Sequence, residues 1–561
     1  MTTNISKEKR EILINKIKEI KQFISSSPQD ENTSTLLSYI ADIEKDIKGK
    51  KYGLVFEEHK EAIDEKLENH TPVLSEEKDL FIDNGGQINF LIEGDNLASL
   101  QLLEKTHKGA IDVIYIDPPY NTGHDDFLYD DSFIDSNDNF RHSKWISFIK
   151  KRLISAKNLL SDNGVILISI DDNEQSTLKL LCDEILGEMN NLGIFIVKST
   201  PNARDYGHVG KMHEYILFYC KDHNNVHTNL MPVVDKKFKY KDNKGGFNIH
   251  PLYNSNEAFT NLNRPNLYYP FYLDPDSKKG EFYTISLQRI SDKCIEIYPP
   301  KSIKNNVQFV WRWGKDKSEA NINKEIVGYC VGENDFRIVQ KMRHDEKLIR
   351  SILDSPDYTS RKGTAEVEEI MGQKIFSFPK PITLIRDILF MATNKKSKIL
   401  DFFAGSGTTG HAVMKLNSED GGNRKFILCT NNENNICRDV TYERIKRVIE
   451  KENYKASLKY MKVDFVPISD KLYYEYADEL LKHIKELVEL ENGINFDGNK
   501  ELAIILTEED LDNFTNNITD ECKTIYLGHN VLPTEEQEDL FKEHEIKINI
   551  IPDYYYRDLE G

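Results

Sequence analysis

The feature that most constrains this chain is a six-residue apolar run, Ile111 to Ile116, that stops on two prolines in Ile111-Asp-Val-Ile-Tyr-Ile116-Asp117-Pro118-Pro119-Tyr120. A short, β-branched, apolar run bounded by strand-breaking residues reads as a buried strand of an α/β sheet. Proline fixes φ and lacks an N–H, so the pair ends the strand and stiffens the turn after it. Ligands bind at the carboxyl ends of the strands in such sheets. The turn therefore carries a carboxylate (Asp117), a carbonyl that cannot swing away (Pro118), a second proline (Pro119) and an aromatic ring (Tyr120). That set suits a planar molecule bearing an exocyclic amino group: two acceptors for its N–H hydrogens and a ring to stack on. A Pro-rich loop around a buried tyrosine would show the same four letters.

A second strand–turn–helix pattern follows far downstream, in Ser397-Lys-Ile-Leu-Asp401-Phe402-Phe403-Ala404-Gly405-Ser406-Gly407-Thr408-Thr409-Gly410. Gly405 and Gly407 allow a tight turn and a close ligand approach. The amides after them, with Ser406 and Thr408, can bind an anionic group at a helix N-terminus. The next apolar stretch, Lys425 to Thr430, leads to Glu433, an acid placed to hold a ribose. A nicotinamide dinucleotide and S-adenosylmethionine both carry such a ribose, and only the Asp117–Tyr120 turn separates them.

Together these segments resemble the amino-methyltransferase family acting on DNA, with its [DNS]-P-P-[YFW] and F-x-G-x-G motifs. The catalytic motif precedes the cofactor motif, an order similar to the permuted β group. Gly94-Asp95-Asn96-Leu97 resembles the family's G-D-N-L turn, which implies that Asp95 reaches the cofactor adenine. Phe376-Ser-Phe-Pro379-Lys380-Pro381 with Leu384 resembles its K-P-x-x-L segment, which implies that Lys380 lies where the chain closes over the methionine end. His213 to Leu217, Asn263 to Pro270, Trp311-Arg312-Trp313-Gly314, Lys362-Gly363-Thr364 and Glu433 to Cys437 resemble the modification subunits of type III restriction systems. The resemblance implies a Rossmann-like α/β sheet and the cofactor S-adenosylmethionine, with no metal required for methyl transfer. It places Asp117, Pro118, Pro119 and Tyr120 in catalysis. It assigns Asp95, Asp401, Phe403, Ala404, Gly405, Ser406, Gly407, Thr408, Glu433 and Lys380 to the cofactor. Asp at position 117 usually accompanies adenine N6, and Ser cytosine N4. The implied partners are double-stranded DNA, a second copy of the chain, and a separate restriction subunit, because no G-x-x-x-x-G-K-[ST] loop of an ATP motor occurs here.

At 561 residues, several domains are expected. We read residues 1–75 as a helical N-terminal region whose stripes (Ile12, Leu13, Ile17, Ile20, Ile24; then Leu36, Leu37, Ile40, Ile43, Ile47) form a dimer contact or a cap on the core. Residues 76–222 read as the catalytic half of the methyltransferase core, and 373–465 as the cofactor half. Residues 466–561 read as an acidic α/β domain with strands near 502, 524 and 546. Between the halves, 223–372 exceeds any ordinary crossover and reads as a target-recognition insertion. The formal charge of −19 excludes a nonspecific nucleic-acid coat. The insertion, however, holds 23 Lys/Arg against 20 Asp/Glu. Its candidate cations are Lys236, Lys237, Lys239, Lys241 and Lys244, Arg312 between two tryptophans, and Arg361-Lys362. Seven scattered cysteines suggest core thiols rather than a metal site. With no 18-residue apolar run and no apolar signal core after Met1, the expected location is the cytoplasm, with no membrane contact.

Overall fold

The structure is a computed structural model that describes residues 5–26, 33–48, 56–123, 128–129, 132–133, 140–202, 208–233, 237–332, 335–343, 346–468, 479–551 and 555. Lys236 lies outside these. The chain separates into two compact units, one formed by 1–229 with 350–561 and the other by 230–349.

The larger unit is built on a ten-stranded mixed sheet. In chain order its strands are β1 (His70–Glu76), β2 (Gln87–Glu93), β3 (Ile111–Ile116), β4 (Leu160–Ile170), β5 (Asn191–Val197), β6 (Glu214–Cys220), β7 (Ile352–Leu353), β8 (Lys398–Asp401), β9 (Lys425–Thr430) and β10 (Ala456–Pro467). Their spatial order is β1-β10-β2-β9-β8-β3-β4-β6-β5-β7. All neighbours are parallel except where β1 and β6 pair antiparallel to theirs. The late strands β8 and β9 thus fill the gap left between the early strands β2 and β3. Permuted motif order follows from this: the centre of the sheet is completed by the chain's second half.

β3 is covered on both faces, which is why it reads as an apolar run broken only at Asp112. Its one polar interior residue, Asp112, staples strands together: Oδ2 accepts the N–H of Lys398 at 2.9 Å. Buried Asn89 on β2 does the same between neighbours, accepting from the Phe426 N–H at 2.9 Å and donating to the Ser457 carbonyl at 3.1 Å. The helix Arg141–Leu159 packs Trp145, Ile149 and Leu153 into the core.

The helical reading of 1–75 requires correction at its end. Helices cover Ile5–Ser26, Thr33–Lys48 and Ala62–Asn69, but His70–Glu76 is an edge strand of the main sheet. Val73 and Leu74 are buried there, in a short β-branched stretch too brief for helical periodicity to show. On the first two helices Ile17 is buried while Ile12, Leu13, Ile20 and Phe23 are exposed. At the other end, three parallel strands, Leu502–Ile505, Thr524–Gly528 and Lys547–Ile551, form the expected small sheet.

The unit 230–349 is narrower than the 223–372 insertion read from sequence. Residues 350–372 join the larger unit, where Val367 and Met371 of the helix Ser360–Met371 are buried. The narrower unit holds 20 Lys/Arg against 15 Asp/Glu, so trimming sharpens its positive balance. It centres on a five-stranded antiparallel sheet over a core that includes Tyr269, Phe271, Leu273 and Trp311. Trp311 is a core residue whose Nε1 donates to the Tyr269 carbonyl at 2.7 Å. It is therefore not free to stack on a base, whereas Arg312 is exposed. Several candidate cations are paired within the unit: Lys239 with Glu281, Lys244 with Glu325. Lys301 and Lys304, flanking fully exposed Ile303, carry no ion pair among the described residues.

Candidate active site

Asp117 to Tyr120 leave the carboxyl end of β3, and the turn is pinned from both sides. The Nε1 of fully buried Trp145 donates to the Pro119 carbonyl at 2.7 Å. Asn121, with φ of +55°, donates from its amide to the Arg141 carbonyl at 3.3 Å and to Glu174 Oε1. Asn tolerates this left-handed backbone better than most residues, so the turn can end there without glycine.

The turn's functional groups meet two residues from distant elements. Tyr120 Oη lies 2.9 Å from Asp117 Oδ1 and 3.2 Å from Glu214 Oε2, its proton shared towards the two carboxylates. Lys380 Nζ lies 3.0 Å from Asp117 Oδ1 and 3.3 Å from Glu214 Oε2, and donates to Tyr120 Oη at 2.6 Å. Burial pushes the Glu214 carboxyl upward, against the pull of Lys380. For Lys380, burial alone would lower the ammonium, but Asp117 and Glu214 together outweigh it and hold it above its ordinary value. Burial first, and Asp117 second, raise the Tyr120 phenol well above its usual range, so it stays protonated. Lys380, expected beside the cofactor, thus sends its ammonium to the Asp117 carboxylate. Only its backbone faces the Gly-rich turn, accepting from Thr408 Oγ1 at 3.2 Å.

That Gly-rich turn leaves β8, the immediate neighbour of β3. Gly405 and Gly407 take φ of +47° and +75°. Asp401 is buried and engaged within the turn itself: Oδ1 accepts from the Phe403 N–H at 3.0 Å, Oδ2 from Thr409 Oγ1 at 2.5 Å. Burial drives its carboxyl up to about 7, with those two hydrogen bonds opposing. Ala404 donates its N–H to the Cys429 carbonyl on β9 at 3.1 Å. The hydroxyls of Ser406 and Thr408, expected to meet an anion, instead accept from buried Arg444 Nη1 at 3.0 and 2.8 Å. Burial lowers that guanidinium to about 10. The Phe403 ring packs on Phe148, centroids 5.7 Å apart.

Asp95 follows β2 and caps the helix Asn96–His107, Oδ1 accepting from the Leu97 N–H at 2.7 Å. Its other oxygen is 3.6 Å from buried Arg152, which in turn grips Glu61 through both terminal nitrogens at 2.9 and 3.1 Å. Asn96 donates to the Phe402 carbonyl at 3.1 Å, tying this turn to the Gly-rich one. Glu433 is exposed beyond β9, and its side chain has no hydrogen bond or ion pair among the described residues. Glu93 ends β2 nearby but is already held by Arg438 Nε at 2.9 Å and by the Tyr460 hydroxyl. The residues fit an adenosine-bearing methyl donor: a partly exposed carboxylate (Asp95), an exposed one (Glu433) and a glycine turn stand on adjacent strand ends.

Four residues of the site escaped sequence reading. Glu214, Trp145 and Arg444 hold groups from elements remote in sequence. Gly363 acts by absence: a Cβ there would lie 2.1 Å from the Pro379 carbonyl, so only glycine lets the helix Ser360–Met371 seat the Pro379–Pro381 segment. Glu214 and Gly363 fall within stretches noted for their resemblance, but no local pattern gave them a role.

The DNA methylase family profile matches residues 111–443, more than half of the chain, and the chain belongs to that family. Over 384 residues it is 32% identical to the type III restriction-modification enzyme EcoPI Mod subunit of Escherichia phage P1, covering 63% of this chain and 58% of that one. It is 32% identical over 376 residues to the type II methyltransferase M.KpnI of Klebsiella pneumoniae, covering 66% and 84%. A third relative, the StyLTI Mod subunit of Salmonella typhimurium, is 31% identical over 408 residues, covering 66% and 57%. The match therefore spans less than two thirds of either Mod subunit.

Proposed function

We propose that this chain transfers a methyl group from S-adenosylmethionine to N6 of adenine in duplex DNA, as the modification subunit of a type III restriction-modification system. The observation that carries the reading is the adjacency of two turns: Asp117–Tyr120 on β3 and Phe403–Thr408 on β8 leave neighbouring parallel strands at the same edge. When bound, the cofactor supplies an electrophilic methyl group. Asp95 and Glu433 hold its adenosine, and the Gly405–Gly407 backbone lets it approach. Asp117 and the Pro118 carbonyl accept the two N–H hydrogens of the substrate amine, drawing its nitrogen toward tetrahedral geometry and stabilising the positive charge that develops there. Asp117 then receives a proton that has become acidic through bond formation, so a strong base is unnecessary. A base inside a duplex cannot reach this turn, so it is flipped out to meet Tyr120.

The unit 230–349 supplies phosphate-binding cations, among them Lys301 and Lys304, in a chain otherwise strongly acidic. Exposed Ile12, Leu13, Ile20 and Phe23 on the N-terminal helices support a second copy as partner. Cleavage falls to a separate restriction subunit, and the assembly works in the cytoplasm. Among the described residues, no helix is long and apolar enough to cross a membrane. The test is methylation of plasmid DNA followed by digestion to nucleosides and mass spectrometry. N6-methyldeoxyadenosine is expected; N4-methyldeoxycytidine, or no methylated nucleoside, refutes the adenine assignment.

A further inference from the structure

One oxygen of the catalytic carboxylate is already engaged within the protein. Asp117 Oδ1 receives both the Lys380 ammonium, at 3.0 Å, and the Tyr120 hydroxyl, at 2.9 Å. An amine arriving at Oδ1 competes with the ammonium for that oxygen, and even at Oδ2 it meets a carboxylate whose charge Lys380 already offsets. A second carboxylate, Glu214, stands 3.3 Å from the same ammonium and 3.2 Å from the same phenol. It is buried, with its side chain 9% exposed against 10% for Lys380, so water compensates neither charge well. Asp117, Lys380 and Tyr120 already satisfy one another, and a second buried carboxylate adds a desolvation cost that its contacts with Lys380 and Tyr120 offset.

We infer that Lys380 is a built-in stand-in for the substrate amine, and that Glu214 is the positioning carboxylate that takes its ammonium when the amine arrives. This rests on the methyltransferase reading above. Two carboxylates and one ammonium leave a single negative charge in excess. With Lys380 drawn to Glu214, that excess sits on Asp117, facing the nitrogen that becomes positive as its lone pair forms the N–C bond. With Lys380 held on Asp117, the excess would be cancelled where it is needed. In a site this dry, such a difference in charge placement is felt strongly in the transition state. Tyr120 keeps its bond to Lys380 throughout and so couples the ammonium's position to the ring that receives the base.

The test is a double-mutant cycle on the full chain with duplex DNA and S-adenosylmethionine, reading kcat/KM for DNA. Glu214→Gln strands the ammonium on Asp117 and should lower kcat/KM on the order of 100-fold, with cofactor affinity unchanged. Lys380→Gln in the Glu214→Gln background removes the competitor and restores the single excess charge. That double variant should recover to within about tenfold of the wild type. A merely structural Glu214 would make the double variant no better than the single one, and that result overturns the inference. So does a Glu214→Gln protein within about threefold of wild type. Should Glu214→Gln fail to unfold cooperatively, the comparison moves to Lys380→Gln with and without Glu214→Gln. A difference there under about threefold is expected, and one above about tenfold overturns the inference. A wild type that binds cofactor and DNA yet transfers no methyl group refutes the functional reading itself, a failure distinct from any of these.

Discussion

Asp401 offers a stability prediction that needs no substrate. Its carboxyl is buried at the end of β8, and burial raises it from 3.8 to about 7. The folded value lies above the unfolded one, so Asp401's favourable contribution is complete below pH 4 and disappears as pH rises through 7. Three pH units at about 1.4 kcal/mol each bound the full effect at about 4 kcal/mol. Between pH 5.5 and 7 the loss is about 2 kcal/mol. Asp401→Asn keeps both hydrogen bonds of the turn: its carbonyl can accept from the Phe403 N–H, and its amide can donate to Thr409 Oγ1. It removes the titration. Urea unfolding of both proteins at half-unit pH steps from 5 to 8 isolates this one group, because every other titration is common to the pair. We predict that wild type loses stability relative to Asp401→Asn by about 3 kcal/mol between pH 5 and 8, with the two profiles becoming parallel as pH nears 8. Profiles that stay parallel throughout would refute the burial argument.

Other perturbations test how the site is held. Gly363→Ala drives a Cβ into the Pro379 carbonyl and should cost about 1–3 kcal/mol in urea unfolding. It should also lower methyl transfer at least about tenfold by displacing the Pro379–Pro381 segment that packs on the Gly-rich turn. Trp145→Phe leaves the half-buried Pro119 carbonyl without its donor; about 1–3 kcal/mol of stability and a lower kcat are expected, and an unchanged kcat would detach this bond from turn placement. Gly405→Asp adds a charged side chain where the backbone must be approached closely, beside the Phe376 ring. Calorimetry should find cofactor binding lost, and unchanged affinity would contradict the assigned role.

Much of the centre of this fold is legible because each strand there announces itself with a local rule. β3 and β8 are short apolar runs, and Pro118-Pro119 and Gly405-Ser-Gly407 end them in ways only those residues permit. The charge balance of the insertion was also readable, although its ends were not: Val367 and Met371 are apolar at helical spacing, but nothing in their order says which core they join. Glu214 was illegible for a topological reason. β6 runs antiparallel to β4, so its first residue, not its last, arrives at the edge where Asp117 lies. Strand direction is a property of pairing, which no stretch of sequence displays alone. The same holds for β1, whose antiparallel pairing to β10 converts an expected helical end into a sheet edge. Trp311, beside exposed Arg312, serves the core of its own unit, a placement that its neighbours in sequence do not display.

An active site at this turn requires Asp117 to grip the amine, which DNA binding alone does not. The direct measurement compares Asp117→Ala with wild type on one preparation each, following methyl transfer from labelled S-adenosylmethionine and duplex affinity in parallel. Methyl transfer lost by several orders of magnitude, with duplex affinity preserved within a few-fold, is the predicted result. Full methyl transfer by Asp117→Ala would contradict the assignment of this turn as the active site.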